Sequence, residues 1–130
     1  MTINGITNAK RLLPPCRAAC PARVNVQGYV SLLQRGRFKD AVEIIRKDMP
    51  FPAICGRVCF SPCEDACARK NVDQAVAIRS LKRIAADVER EEARVKSKPV
   101  PRKHDEKVAI IGAGPAGLAA AYELVKLGYP

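Results

Sequence analysis

The sequence predicts a mainly α fold: a cysteine-bearing helical domain, then a single β-strand–turn–helix unit that opens a second domain. Three observations predict it. Apolar residues recur at helical spacing in the segments between and after the cysteines. Six cysteines stand in the N-terminal two thirds of the chain, every local gap being C-x₃-C. Near the C-terminus, KVAII runs straight into GAGPAG and then LAAAYELVKLG. A chain of 130 residues has room for one small domain and a piece of another.

Residues 1–15 read as irregular, with Pro14 and Pro15 before the first cysteine. After CRAACPAR, Asn25 is a helix cap for VQGYVSLLQRG, in which Val26, Tyr29, Val30 and Leu33 share a face and Gly36 is the stop. RFKDAVEIIRKDMP reads as a second helix with the stripe Phe38, Ala41, Val42 and Ile45, and Pro50 beyond its end. The short loop between the two predicts a helical hairpin. FPAICGRVCFSPC contains Pro52, Gly56 and Pro62 and is expected to be mostly loop. CEDACARK reads as a turn or two of helix. AVAIRSLKRIAADVEREEARVK predicts a long helix with the stripe Ile78, Leu81, Ile84, Ala85 and Val88, solvated from Glu89 to Lys96. SKPVPRKHDEK is polar and contains prolines, so the domains are expected at 1–96 and 108–130, with 97–107 as linker. The only histidine, His104, lies in that linker and is expected to be an exposed side chain.

KVAII is a β-branched run suited to a buried parallel strand. Gly112, Gly114 and Gly117 then fit G-x-G-x-x-G, with Ala113, Pro115 and Ala116 between them. Gly112 permits a tight turn, Gly114 lets a pyrophosphate approach the backbone, and Gly117 lets helix and strand pack closely. The amides and dipole of the helix start favour the phosphate charge. This is the opening of a Rossmann-like domain for FAD or NAD(P), and the motif is compatible with either. One strand makes no sheet, so the chain is expected to be truncated soon after the first βα unit. The acidic residue that binds the ribose, about 20 positions on, would lie past Pro130.

The formal charge is +10. Lys126 and Glu123 are the only charged residues after Lys107, so the excess positive charge lies with the cysteines. No aromatic-basic interleaving accompanies it, which argues against a nucleic-acid-binding domain. A basic shell offsets the negative charge of metal-bound thiolates and suits an acidic redox partner. No apolar run approaches the roughly 20 residues of a membrane span. MTINGITNAKRLLPPC lacks a basic start followed by an apolar stretch, so the expected location is cytoplasmic.

In a reducing cytosol, clustered cysteines point to metal rather than to disulfides, although an even count allows the latter. Cys16, Cys20, Cys55, Cys59, Cys63 and Cys67 are the candidate ligands. Structural zinc usually takes C-x₂-C knuckles, often with histidine, and neither is present near these residues. A zinc-stabilised helical interaction module joined to a nucleotide-binding domain is the competing reading. Iron–sulfur clusters take cysteine ligands from loops that wrap a cube, and Cys20-Pro21 is like the cysteine-proline that ends such ligand runs. A cluster beside a dinucleotide-binding domain passes single electrons, while a flavin converts between one- and two-electron steps.

CRAACP, RGRFKDAVEIIRKDMPFP, CGRVCFSPCEDAC, VAIRSLKR and KVAIIGAGPAGLAAAYEL together carry a family likeness. In order and spacing the chain resembles the N-terminal part of the glutamate synthase small (beta) subunit type of FAD-dependent NAD(P)H oxidoreductase, related to the N-terminal iron–sulfur region of dihydropyrimidine dehydrogenase. The resemblance covers nearly the whole chain. It implies a helical domain with one or two 4Fe–4S clusters, then an FAD domain and an NAD(P)H domain. It also implies a partner, either a large amidotransferase subunit or a ferredoxin-like acceptor. No acid–base catalytic residue is expected, because the chemistry belongs to the cofactors.

The resemblance implies that Cys20, Cys59 and Cys63 share one cluster and that Cys16 and Cys67 belong to another, with Cys55 completing the first. This chain departs from the two-cluster relatives in two ways. Their additional C-x₂-C falls near Asn8 and Arg11 here, and a Glu or Gln that some use as ligand on the last helix aligns with Lys82. Six thiolates do not make two all-cysteine cubane sites. Either one cluster forms with two cysteines free, or two form with other ligands.

Overall fold

The computed structural model describes residues 13–92 and 100–130. The readings that concern Asn8 and Arg11, and those for 93–99, lie outside the described residues. The chain divides into two compact units, Met1–Glu92 and Ala93–Pro130. Among the described residues every regular element is helical.

The first unit contains α1 (Pro15–Ala19), α2 (Val26–Gln34), α3 (Phe38–Asp48), α4 (Pro52–Val58), α5 (Pro62–Asp65), a 3₁₀ turn (Ala68–Asn71) and α6 (Ile78–Glu92). Asn25 caps α2 as expected: its Oδ1 accepts a hydrogen bond from the Gly28 amide at 3.1 Å. After Gln34 the chain turns through Gly36, and α3 packs back on α2. Ala41, Val42 and Ile45 are fully buried, and with Val24, Val26, Tyr29 and Ile78 they form a small, mostly aliphatic core. The Tyr29 hydroxyl donates to the Ile78 carbonyl at 3.0 Å inside it, tying α2 to the start of α6.

Two expectations need correction. The segment around Pro52 and Pro62, expected to be loop, folds into α4 and α5. Each proline takes the first turn of its helix, where its missing N–H has no intrahelical partner to lose. The prolines therefore start helices here and do not break them. On α6, Ile84 is 49% exposed while Lys82 is 6% exposed. The buried face runs through Ile78, Lys82, Ala85 and Ala86, rotated from the expected stripe.

That rotation follows from α4, which lies on α6 at very short range. A Cβ on Gly56 would sit 2.9 Å from the Arg83 Cα. Arg57 grips Asp87 with two hydrogen bonds, at 2.8 and 2.9 Å, just beyond that contact. Arg46 holds Glu89 in the same two-pronged manner and ties α3 to α6. The Arg57 guanidinium beside Asp87 holds its carboxyl below the usual carboxylate range.

The second unit contains α7 (Pro115–Leu127), ended by Gly128 at φ +92°. The strand expected at KVAII is not formed among the described residues. A strand exists only through a ladder to a neighbour, and no neighbouring strand is among them. The backbone amides of Lys103 and His104 donate to the Gly128 carbonyl at 2.9 and 3.3 Å. The His104 ring, expected to be exposed, stacks on Tyr129 with centroids 4.2 Å apart.

Two outcomes are expected. Gly56→Ala should lower stability by about 1–3 kcal/mol, read by thermal unfolding, because helix backbones must separate to admit the methyl group. Asp87 has a lowered folded pKa, so its contribution is present above about pH 4 and is lost as pH falls through the folded value. Asp87→Asn should therefore make stability less dependent on pH below about pH 5, measured by denaturant unfolding across pH.

Candidate metal centre

The six cysteines are all free thiols, and the fold delivers them to two cavities of the first unit. The first, about 200 Å³, is lined by Cys20, Cys55, Cys59 and Cys63. Cys20 arrives from the C-terminal end of α1, Cys55 from α4, Cys59 from the end of α4, and Cys63 from the start of α5. Repeated C-x₃-C spacing thus places successive thiols on the successive short helices started by Pro52 and Pro62. The rest of the wall is apolar, with Val24, Val26, Met49 and Ile78 at depth and the exposed Val58 and Phe60 at the rim.

The second cavity, also about 200 Å³, is lined by Cys16 and Cys67, with Val26, Val30, Val76 and Ile78 among its apolar residues. Val26 and Ile78 line both cavities and form the wall between them. The structure thus brings Cys20, Cys55, Cys59 and Cys63 to one cavity and Cys16 and Cys67 to another.

Local electrostatics differ among the thiols. Burial pushes the Cys63 thiol up, and the nearby sulfurs of Cys20 and Cys59 and the Glu64 carboxylate add to this, while Lys82 opposes it. Burial likewise raises Cys16. Cys67 is lowered, chiefly by the backbone amide of Val76 and then by those of Arg69 and Lys70. At Cys59 the Ser61 amide donates to the sulfur at 3.4 Å. Ser61 holds a left-handed backbone at φ +62°, a strained conformation that turns its N–H toward that sulfur.

Polar residues outside the thiol set fix the wall. Glu64 on α5 accepts from the Arg79 amide at 2.7 Å, anchoring the first turn of α6. The Arg79 guanidinium donates to the Cys59 carbonyl at 2.9 Å. Lys82, 6% exposed, also lines the first cavity, and its charge acts on the Cys63 thiol. Sequence reading placed Lys82 only as a residue unable to act as a ligand. Its position four residues after Ile78 and three before Ala85 was the available signal that it faces inward.

These residues fit an iron–sulfur cluster better than a single metal ion. Among the described residues no three His, Cys, Asp or Glu side chains are grouped closely enough to hold one ion. Tetrahedral zinc draws its ligands to about 2.0–2.3 Å from one centre. A cubane spreads its four cysteine ligands around a larger body, needs donors to sulfur, and carries negative charge. Four thiols around one cavity, an amide on Cys59 and a lysine in the same wall match those needs.

The glycine motif lies in the second unit. Gly112 holds φ +103°, and a Cβ on Gly117 would lie 2.1 Å from the Gly112 carbonyl oxygen, so the turn folds directly onto the first turn of α7. Nothing lies within 4 Å of the Cβ position on Gly114. Ala113 lies in the same turn, and Pro115 and Ala116 open α7. Among the described residues no helix is long and apolar enough to cross a membrane.

Comparison with known proteins agrees with the metal chemistry. Residues 6–94 match the family described as dihydropyrimidine dehydrogenase domain II, 4Fe–4S cluster. The NADPH-Fe(3+) oxidoreductase subunit beta of Geobacter sulfurreducens is 50% identical over 117 residues, which cover 89% of this chain and 17% of that protein. The NADP(+)-dependent formate dehydrogenase subunit beta of Moorella thermoacetica is 38% identical, over 96% of this chain and 21% of its own length. The glutamate synthase [NADPH] small chain of Mycobacterium tuberculosis is 34% identical, over 90% of this chain and 24% of its own length. The chain therefore spans less than a quarter of each of these relatives. With the family match covering most of its length, the chain belongs to the dihydropyrimidine dehydrogenase domain II, 4Fe–4S cluster family.

Proposed function

We propose that this chain is the N-terminal part of an iron–sulfur flavoprotein oxidoreductase subunit, of the glutamate synthase small-subunit type, that passes electrons between NAD(P)H, FAD and a 4Fe–4S cluster. The observation that carries the reading is the convergence of four thiols on one apolar cavity, with Lys82 in its wall, in a chain of this family. When bound, the cluster exchanges single electrons and the flavin converts them to the two-electron chemistry of a nicotinamide.

Cys20, Cys55, Cys59 and Cys63 are the proposed ligands of one cluster, and their shared cavity supports this. Cys16 and Cys67 share the other cavity, where two thiols alone fall short of a cubane's four ligands. The Ser61 amide holds a hydrogen on the Cys59 sulfur, and the apolar wall keeps water away from it. The amide stabilises electron density on sulfur, the low-dielectric wall opposes added negative charge, and the two together tune the potential.

The turn formed by Gly112, Ala113, Gly114, Pro115, Ala116 and Gly117 is the proposed seat of the FAD pyrophosphate. The open space beside Gly114 and the amides at the start of α7 support this. The nicotinamide site and the rest of the flavin site belong to the full-length protein, so residues 1–130 alone are expected not to oxidise NAD(P)H. The proposed acceptor is a large catalytic subunit or a ferredoxin-like protein, in the cytoplasm. The proposal involves neither nucleic acid nor a membrane span.

Two substitutions test the assignments. A Cβ at Gly114 meets open space among the described residues, so Gly114→Val in the full-length protein should act on the bound group and lower flavin content at least about tenfold, read by absorbance of the purified protein. Wild-type flavin content in that variant would remove the pyrophosphate assignment. Cys55→Ser should lower iron per chain well below the wild-type count, whereas unchanged iron would remove Cys55 from the ligand set.

A further inference from the structure

Among the described residues Lys82 is the only lysine, arginine, aspartate or glutamate that lines the cavity of Cys20, Cys55, Cys59 and Cys63. The residue is 6% exposed, and its positive charge opposes the rise that burial causes in the Cys63 thiol. The other polar groups of that wall among the described residues are the four thiols and the Tyr29 hydroxyl, and the latter donates to the Ile78 carbonyl. Glu64 on α5 accepts from the Arg79 amide on the first turn of α6. The groups of that wall that can carry negative charge beside Lys82 are therefore the thiols and what they hold.

We infer that Lys82 is a positioning residue for redox potential: its ammonium faces the thiolate-held cluster and stabilises the reduced state over the oxidised one. This rests on the cluster assignment above. One-electron reduction adds one negative charge to the cluster, and a fixed cation in a low-dielectric wall favours that added charge.

The test uses the anaerobically purified, cluster-loaded protein, titrated with dithionite and followed by electron paramagnetic resonance. Lys82→Met keeps an apolar stem of similar length without charge. Lys82→Arg keeps the charge. Lys47→Met removes a charge from the exposed surface of α3 as a control. With wild type poised at its midpoint, Lys82→Met should show about a tenfold lower ratio of reduced to oxidised cluster, equivalent to about 59 mV for one electron. Lys82→Arg should stay within about threefold of wild type, and Lys47→Met should match it.

A Lys82→Met midpoint equal to that of Lys47→Met, at full iron content, overturns the inference. So does loss of cluster in both Lys82 variants, which would show a need for shape and not for charge. Loss of cluster in Lys82→Met alone, with Lys82→Arg intact, supports it. Wild-type protein that binds no iron overturns the cluster assignment itself, and this inference with it. A Lys82 result against a fully iron-loaded wild type bears on Lys82 only.

Discussion

The contact on which the first unit depends is the direct packing of α4 against α6 at Gly56 and Arg83. No side chain separates the helices there, since a single Cβ on Gly56 would collide with the Arg83 backbone. Arg57 and Asp87 lock the approach from the side. Because α4 is this close, Cys55 and Cys59 share a cavity with Lys82 of α6. Because α6 is turned to meet α4, Lys82 points inward and Ile84 outward. A bulkier residue at position 56 would separate the walls of the cavity before it touched any sulfur.

The core and the cavities are built from the same residues. Val26 and Ile78 are buried members of the core and also the partition between the two groups of cysteines. Tyr29 fills the space behind them and fixes the start of α6 through the Ile78 carbonyl. A unit of this size has few aromatic residues and a modest aliphatic core. Small domains of that kind commonly draw stability from a bound metal group, so folding and loading are coupled. The two thiol-lined cavities fit that coupling.

Helical periodicity made α2 and α3 legible, including the Asn25 cap, because their apolar faces meet a single neighbour and their ends carry ordinary signals. Cys spacing made the candidate ligands legible as a set. Its partition between two cavities came from the resemblance and not from spacing, since C-x₃-C is the same at every step. Pro52 and Pro62 misled because proline ends a helix or begins one depending on whether its N–H would have been used. Ile84 was placed in the buried stripe of α6 because helical spacing alone does not fix which face meets a neighbour, and the position of α4 turns Lys82 inward in its place. The strand at KVAII depends on neighbours that a local pattern does not contain.

The most direct measurement is iron and acid-labile sulfide per chain after anaerobic purification, with an absorption spectrum of the same sample. The account predicts about four iron and four sulfide and a broad charge-transfer band in a brown protein. About eight of each would mean that Cys16 and Cys67 recruit further ligands into a second cluster. A colourless protein without iron, carrying about one or two zinc ions, would contradict the account and leave a zinc-stabilised helical module in its place.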